Sequence, residues 1–152
     1  LNVTLATVAD IPTVLKFSRD LHNHTRYSVF EFDEKKVANL FYNAITGNPK
    51  HGVVLLSKDG SKTVGLLGAM AIQPTFTSDW VGSEWVWWVE PTVPNHKKRL
   101  IELLDGYEFW AKNVAKCKAI LIGRVERFDS APRYFQKRGY QTAEEAYIKE
   151  LI

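Results

Sequence analysis

The sequence has few of the residues that staple or anchor a small protein. Its 152 residues include a single cysteine, Cys117, which excludes an internal disulfide and a cysteine-rich zinc site. A thiol kept free fits a reducing compartment, and a cytoplasmic location is expected. No run of about 18 apolar residues occurs, so no membrane span is expected. The opening stretch LNVTLATVADIPTVLKF has no basic start and carries Asp10 and Pro12 where a signal core would be unbroken. It reads as mature protein, and with no initiating Met, further residues before Leu1 are an expectation on which nothing is built. Internal repeats, linkers and low-complexity segments are also missing, which predicts one domain over residues 1–152.

Charge of one sign is not in large excess. The formal net charge is +3, but residues 1–95 hold 8 Lys and Arg against 9 Asp and Glu, whereas residues 96–152 hold 12 against 8. The surplus begins at the cluster NHKKR, residues 95–99. A local anion fits this distribution better than a long polyanion, so no nucleic acid partner is expected.

What is present is a succession of two hydrophobic periods. NVTLAT reads as a short strand. Asp10 is placed to cap a helix carrying Ile11, Val14, Leu15 and Leu21, with Pro12 in its first turn. Asp33 caps a second helix with Val37, Leu40, Phe41, Ala44 and Ile45 on one face, ended by Gly47. Residues 51–74 read as two strands joined at Asp59 and Gly60. SEWVWWVEP is the next strand; simple alternation puts Glu84, Val86, Trp88 and Glu90 on one face and Trp85, Trp87 and Val89 on the other. A helix over 97–115 follows, with Leu100, Leu103, Leu104, Tyr107, Trp110, Ala111 and Val114 inward. KAILIGRV is a strand, SAPRYFQKRG a short helix closed by Gly139, and AYIKELI a last strand. The order β-α-α-β-β-β-α-β-α-β predicts an α/β fold: a mixed, mostly antiparallel sheet with helices on both faces and one parallel crossover.

The basic cluster stands where a buried strand hands over to a helix. The first turn of a helix offers N–H groups without intrahelical partners and a partial positive charge, a natural seat for phosphate. Three cations there each cost roughly 0.3 to 1 kcal/mol against the helix dipole, which favours an anion over a bare solvated turn.

The element order, with VEP closing the fourth strand and RYFQKRGYQTAEEAYIKEL at the C-terminus, resembles the GCN5-related N-acetyltransferase superfamily, in particular small bacterial and phage-encoded members. The resemblance covers nearly the whole chain. It implies acetyl-CoA bound where the fourth and fifth strands splay, its pyrophosphate against the next helix, and an acetyl group passed to a primary amine of a small molecule or a protein. A homodimer is compatible with it; a membrane partner is not expected. On this resemblance the backbone of Trp87, Trp88 and Val89 would take the pantetheine arm, and Asn95, His96, Lys97, Lys98 and Arg99 the pyrophosphate. The superfamily's pattern of Val, any residue, Pro, then Arg or Gln and a glycine-rich turn is matched by Val89 and Pro91. Pro94 stands at the Arg or Gln position, no glycine lies between Gly82 and Gly106, and the loop counts one residue long. Side-chain cations would replace some backbone contacts.

An amine must lose a proton before it attacks a thioester, and the resemblance implies a Glu on the fourth strand as base. Glu84 matches, with a solvated strand start as its alternative role. The acid that protonates the leaving sulfur is usually a Tyr four residues before the glycine of the last helix. That position is Phe135, assigned here to the cofactor site; Tyr134, one helical step of about 100 degrees away, is the candidate acid, with packing as the competing role of both rings. Trp80, Trp85, Trp87, Trp88 and Trp110 are divided between core and an acceptor pocket. His22 and His24 lack a carboxylate at ligand spacing, so no metal is expected, and Cys117 is read as structural. The missing glycines and Phe135 also fit a second reading, a catalytically degenerate domain that binds a protein partner.

Overall fold

The computed structural model describes residues 2–123, 131–144 and 146–151. Its sheet has the order β1-β2-β3-β4-β5, formed by β1 (Val3–Leu5), β2 (Gly52–Asp59), β3 (Lys62–Ile72), β4 (Val81–Val89) and β5 (Ala119–Leu121). All neighbours are antiparallel except β4 and β5, which are parallel and joined through α3 (His96–Asn113). Helices α1 (Ile11–Asn23) and α2 (Glu34–Thr46) connect β1 to β2, and α4 (Ala131–Lys137) follows β5. The predicted fold class is the observed one.

Both faces of the sheet are covered, which explains why β2 and β3 read as nearly unbroken apolar runs. Leu55, Leu67, Ala69 and Val89 pack against Leu100, Leu103, Leu104, Tyr107 and Trp110 of α3. Val54, Leu56, Leu66, Val86 and Trp88 pack on the other face against Val14, Phe17, Leu21 and Phe41. The helical periodicities bury the predicted faces of α2 and α3 and Val14 and Leu21 of α1, while Phe17 takes a core place that the sequence reading did not give it and Leu15 is in neither core cluster. Asp33 caps α2 through the Lys36 N–H at 3.0 Å, and Gly60 turns the β2–β3 hairpin at φ +60°.

Two local expectations differ. Asp10 does not cap α1 with its side chain; its carboxylate turns back to the N–H of Thr7 at 2.8 Å, closing a 3-10 turn over Val8–Asp10 that leads into the helix. The predicted last strand does not form over the described residues 146–151, where Tyr147 and Leu151 are 91% and 90% exposed. Alternation alone supplies a strand pattern, but a strand needs a ladder to occupy. Residues 124 and 125 of the predicted fifth strand, and residue 152 of the last, lie outside the described residues.

Candidate functional site

The site is shaped by what β4 does along its length. Opposite β3, the register runs Leu66↔Trp88, Leu67↔Trp87 and Gly68↔Val86, then steps to Ala69↔Glu84. Trp85 is the extra residue of a β-bulge, and a bulge reverses the alternation on either side of itself. Trp85 consequently packs with Val86 and Trp88 on the α1–α2 face, while Glu84 shares the α3 face with Trp87 and Val89. This corrects the simple alternation, which placed Glu84 with Trp88 and Trp85 with Trp87. Gly68 makes the bulge sterically feasible: a Cβ there would lie 2.6 Å from Cζ2 of Trp85.

On its other edge β4 pairs with β5 only at Val81↔Ala119, Gly82↔Ile120 and Ser83↔Leu121. Beyond Ser83↔Leu121 no further β4–β5 pair forms among the described residues, so the parallel ladder ends just where Glu84 begins. The carboxylate of Glu84 bonds the chain just after β5, its Oε1 accepting the Gly123 N–H at 2.6 Å. Tyr107 of α3 lies close by and donates its hydroxyl to the Leu121 carbonyl at 2.9 Å. Burial pushes the Glu84 carboxyl above the ordinary carboxylate range, and the Gly123 N–H partly opposes that shift. Burial, and then the nearby Glu84 charge, also raise the Tyr107 phenol. Glu84 is thus a half-buried carboxylate at the end of the β4–β5 ladder, not a solvated strand end.

A raised carboxyl has a consequence for stability. The folded state holds the Glu84 proton more tightly than the unfolded chain, so its stabilising effect is complete below the ordinary carboxylate range and is lost as pH rises through the folded value. Urea unfolding between pH 4 and pH 8 is expected to show this decline in the parent and a smaller one in Glu84→Gln. Equal pH dependence in both proteins would refute the assignment.

The turn between β4 and α3 carries the basic cluster. Asn95 adopts φ 60°, ψ 33°, the left-handed conformation that glycine usually supplies, and its side chain does not cap the helix. His96 donates from Nε2 to the Val89 carbonyl at 3.1 Å. A short parallel ladder of β4 with β5, and a helix that starts after the turn closing β4, is a recognisable architecture. No known family model and no curated protein matches the sequence. Solved structures share its fold: a predicted acetyltransferase with acetyl-CoA from Clostridium acetobutylicum superposes with a TM-score of 0.71 at 18% identity, over 99% of this chain and 96% of that one. An aminoglycoside antibiotic 6′-N-acetyltransferase from Acinetobacter haemolyticus gives 0.68 at 18% identity, over 100% and 99%. The chain has the GCN5-related N-acetyltransferase fold.

Within this fold the predicted site residues divide. Glu84, Trp87, Asn95, His96, Lys97 and Lys98 lie along the β4 end, the turn and the first turn of α3. Trp87 donates its indole N–H to the Leu100 carbonyl at 3.1 Å and meets the Phe135 ring edge-on at a centroid distance of 6.1 Å, so β4, α3 and α4 converge there. Lys98 is exposed, with Glu102 at 4.0 Å. Trp88 departs: its side chain is buried on the opposite face beside His24, with ring centroids 5.2 Å apart. The Val89 carbonyl is occupied by His96 and its side chain by the core, which leaves less backbone for a pantetheine arm than the sequence suggests.

Arg99 is the clearest correction. It is 6% exposed and its guanidinium is taken up by the Pro94 carbonyl and the β2–β3 hairpin, because a buried guanidinium takes the nearest set of oxygens. Tyr134 is drawn elsewhere too. Its hydroxyl accepts from Arg138 Nη1 at 2.5 Å, and Arg138 is itself held by Glu108 at 2.6 Å and Asp105 at 2.7 Å. Tyr140 completes this group, donating to Glu108 at 2.7 Å. The cluster fastens α4 to α3, which gives Tyr134 the packing role that competes with its role as acid. Sequence reasoning missed Arg138, Glu108 and Gly123; only the Arg138–Tyr134 spacing of four residues on a helix hinted at any of these contacts. Among the other candidates, Trp110 is buried, Trp80 is 42% exposed and stacked on His51, and burial pushes the Cys117 thiol up, consistent with an unreactive side chain.

Proposed function

We propose that the protein is an N-acetyltransferase that moves an acetyl group from acetyl-CoA to a primary amine within a ternary complex. The observation that carries this reading is the parallel ladder that stops at Ser83↔Leu121 with the Glu84 carboxylate beside its end, on the strand that leads through a turn into a helix N-terminus. An acyl-pantetheine arm is a thin chain bearing amides, suited to a strand edge, and a diphosphate is suited to the positive end of a helix dipole. The acetyl-CoA in the C. acetobutylicum structure of the same fold supports that choice of donor.

In this reading Glu84 removes the proton from the acceptor ammonium, directly or through a water, and its raised pKa makes it a stronger base than an exposed carboxylate. The freed nitrogen attacks the thioester carbonyl, the now cationic nitrogen gives its extra proton to water, the C–S bond breaks, and the thiolate takes a proton from solvent, since the Tyr134 hydroxyl is engaged with Arg138. Trp87 and Phe135 wall the α3 side. Lys97 and Lys98, with the first N–H groups of α3, face the diphosphate; Arg99 does not. The aminoglycoside N-acetyltransferase among the neighbours makes kanamycin a sensible acceptor to try first, beside spermidine and a lysine peptide.

Calorimetry with acetyl-CoA and CoA tests the reading. Binding in the micromolar range, weakened by added salt, is expected. No binding at millimolar ligand would leave the second reading, a domain that binds a protein partner. Phe135 favours that alternative, because an apolar ring stands against Trp87 where an acid would be useful.

A further inference from the structure

We propose that Arg99 is a positioning residue for the diphosphate: it touches no ligand, but orients the peptide between Pro94 and Asn95 so that the Asn95 N–H is presented to the anion. This rests on the acetyl-CoA reading and extends it to a residue outside the contact set. Arg99 Nε donates to the Pro94 carbonyl at 3.0 Å, Nη1 to the Lys58 carbonyl at 2.8 Å, and Nη2 lies 3.2 Å from Asp59 Oδ1. The buried guanidinium thereby ties the turn before α3 to the end of the β2–β3 hairpin, its charge offset by Asp59.

The geometry of the peptide unit carries the argument. In a trans peptide the C=O and the following N–H point in opposite directions, and the chain contains no cis bond among the described residues. A Pro94 carbonyl held by Arg99 therefore sends the Asn95 N–H the other way, out of the turn. The left-handed Asn95 then starts α3 at His96. Other carbonyls of the turn are also taken: Val89 by His96 Nε2, Glu90 by the Val93 N–H at 3.3 Å, and Asn95 by the Arg99 N–H at 2.9 Å. Carbonyl dipoles aimed at an anion would repel it, and these four are engaged by donors of the protein itself. Among the described residues no acceptor takes the N–H of Asn95 or of Lys98. A turn without glycine is thus given a donor-rich face by a side chain behind it. Lysine could not replace the fork, since one ammonium cannot span two carbonyls and a carboxylate in fixed directions.

Arg99→Lys separates this from direct contact. Lysine binds phosphate well as a point charge, so a contact role survives the change and a clamp role does not. Calorimetry of the folded variant is expected to show CoA affinity reduced about tenfold, the loss of one charge-assisted hydrogen bond. Affinity for pantetheine, which has no phosphate, should stay within about twofold. In the parent, nuclear magnetic resonance should show CoA shifting the Asn95 amide proton while the Arg99 Nε–H signal stays in place; this readout needs no substitution. An Arg99→Lys protein that binds CoA as the parent does, an equal loss of CoA and pantetheine, or a CoA-induced shift of the Arg99 Nε–H with a still Asn95 amide would each overturn the proposal. If the parent binds no CoA, the acetyl-CoA reading falls and takes this proposal with it; parent binding with any of the three adverse results sinks the proposal alone.

Discussion

Replacing Glu84 by Gln is expected to slow acetyl transfer by about 10² to 10⁴-fold, the usual contribution of a positioned general base, with acetyl-CoA affinity within about twofold of the parent. The amide keeps the shape of the carboxylate and its acceptor oxygen toward the Gly123 N–H, so the end of the β4–β5 ladder should stay as it is. Only proton removal is lost. Steady-state rates with kanamycin, spermidine and a lysine peptide, together with calorimetry, separate the two quantities. A variant that turns over like the parent would remove Glu84 from the chemistry and leave proton transfer to solvent. Loss of cofactor binding instead of rate would make Glu84 a structural strut at the end of that ladder.

The largest expected loss of stability follows from Gly65→Ala. Gly65 faces Val89 across the β3–β4 ladder, and a Cβ added to it would lie 2.6 Å from the Trp88 carbonyl oxygen and 2.9 Å from the Val89 Cα. These are backbone atoms, which cannot rotate aside as a flexible side chain would. Strand β4 has to move, and it is sandwiched between two packed layers, so the cost is on the order of 3 kcal/mol. For a chain of this size that corresponds to a melting temperature lower by roughly 6 to 12 °C. Gly60→Ala is the control: nothing lies within 4 Å of its Cβ, and the left-handed φ alone costs about 1 to 2 kcal/mol. Equal effects of the two substitutions would show that close packing at Gly65 is not limiting.

Most of the scaffold was legible because it rests on periodicity. Leu100, Leu103, Leu104, Tyr107 and Trp110 recur at helical spacing, and all five are buried against the sheet. Glu84 was also legible as a residue type on the fourth strand. Its face was not, because a bulge depends on which residue of the partner strand has no side chain, and nothing in SEWVWWVEP announces that Gly68 will lie beneath Trp85. Arg99 failed for a related reason. A cation next to two lysines looks like one of a cluster, and only tertiary contact reveals that Lys58 and Asp59, 41 and 40 positions earlier, supply its oxygens. The final strand failed because alternation in AYIKELI describes what a segment could pair with, not whether an edge is free to receive it.

The bulge at Trp85 also works as a change of frame. Up to Glu84 the strand counts its faces in one phase, and from Val86 onward in the other, so this single residue decides that Trp87 looks toward α3 and Trp88 toward α1. Deleting Trp85 would do far more than remove an indole. The chain could keep its ladder to β3 only by carrying Glu84 inward with the wrong layer or by turning Trp87 and Val89 away from α3, and either choice exchanges polar for apolar surface along half a strand. Substitution at this position tests a side chain; deletion tests the parity of the sheet, on which the direction of Glu84 relative to everything downstream depends.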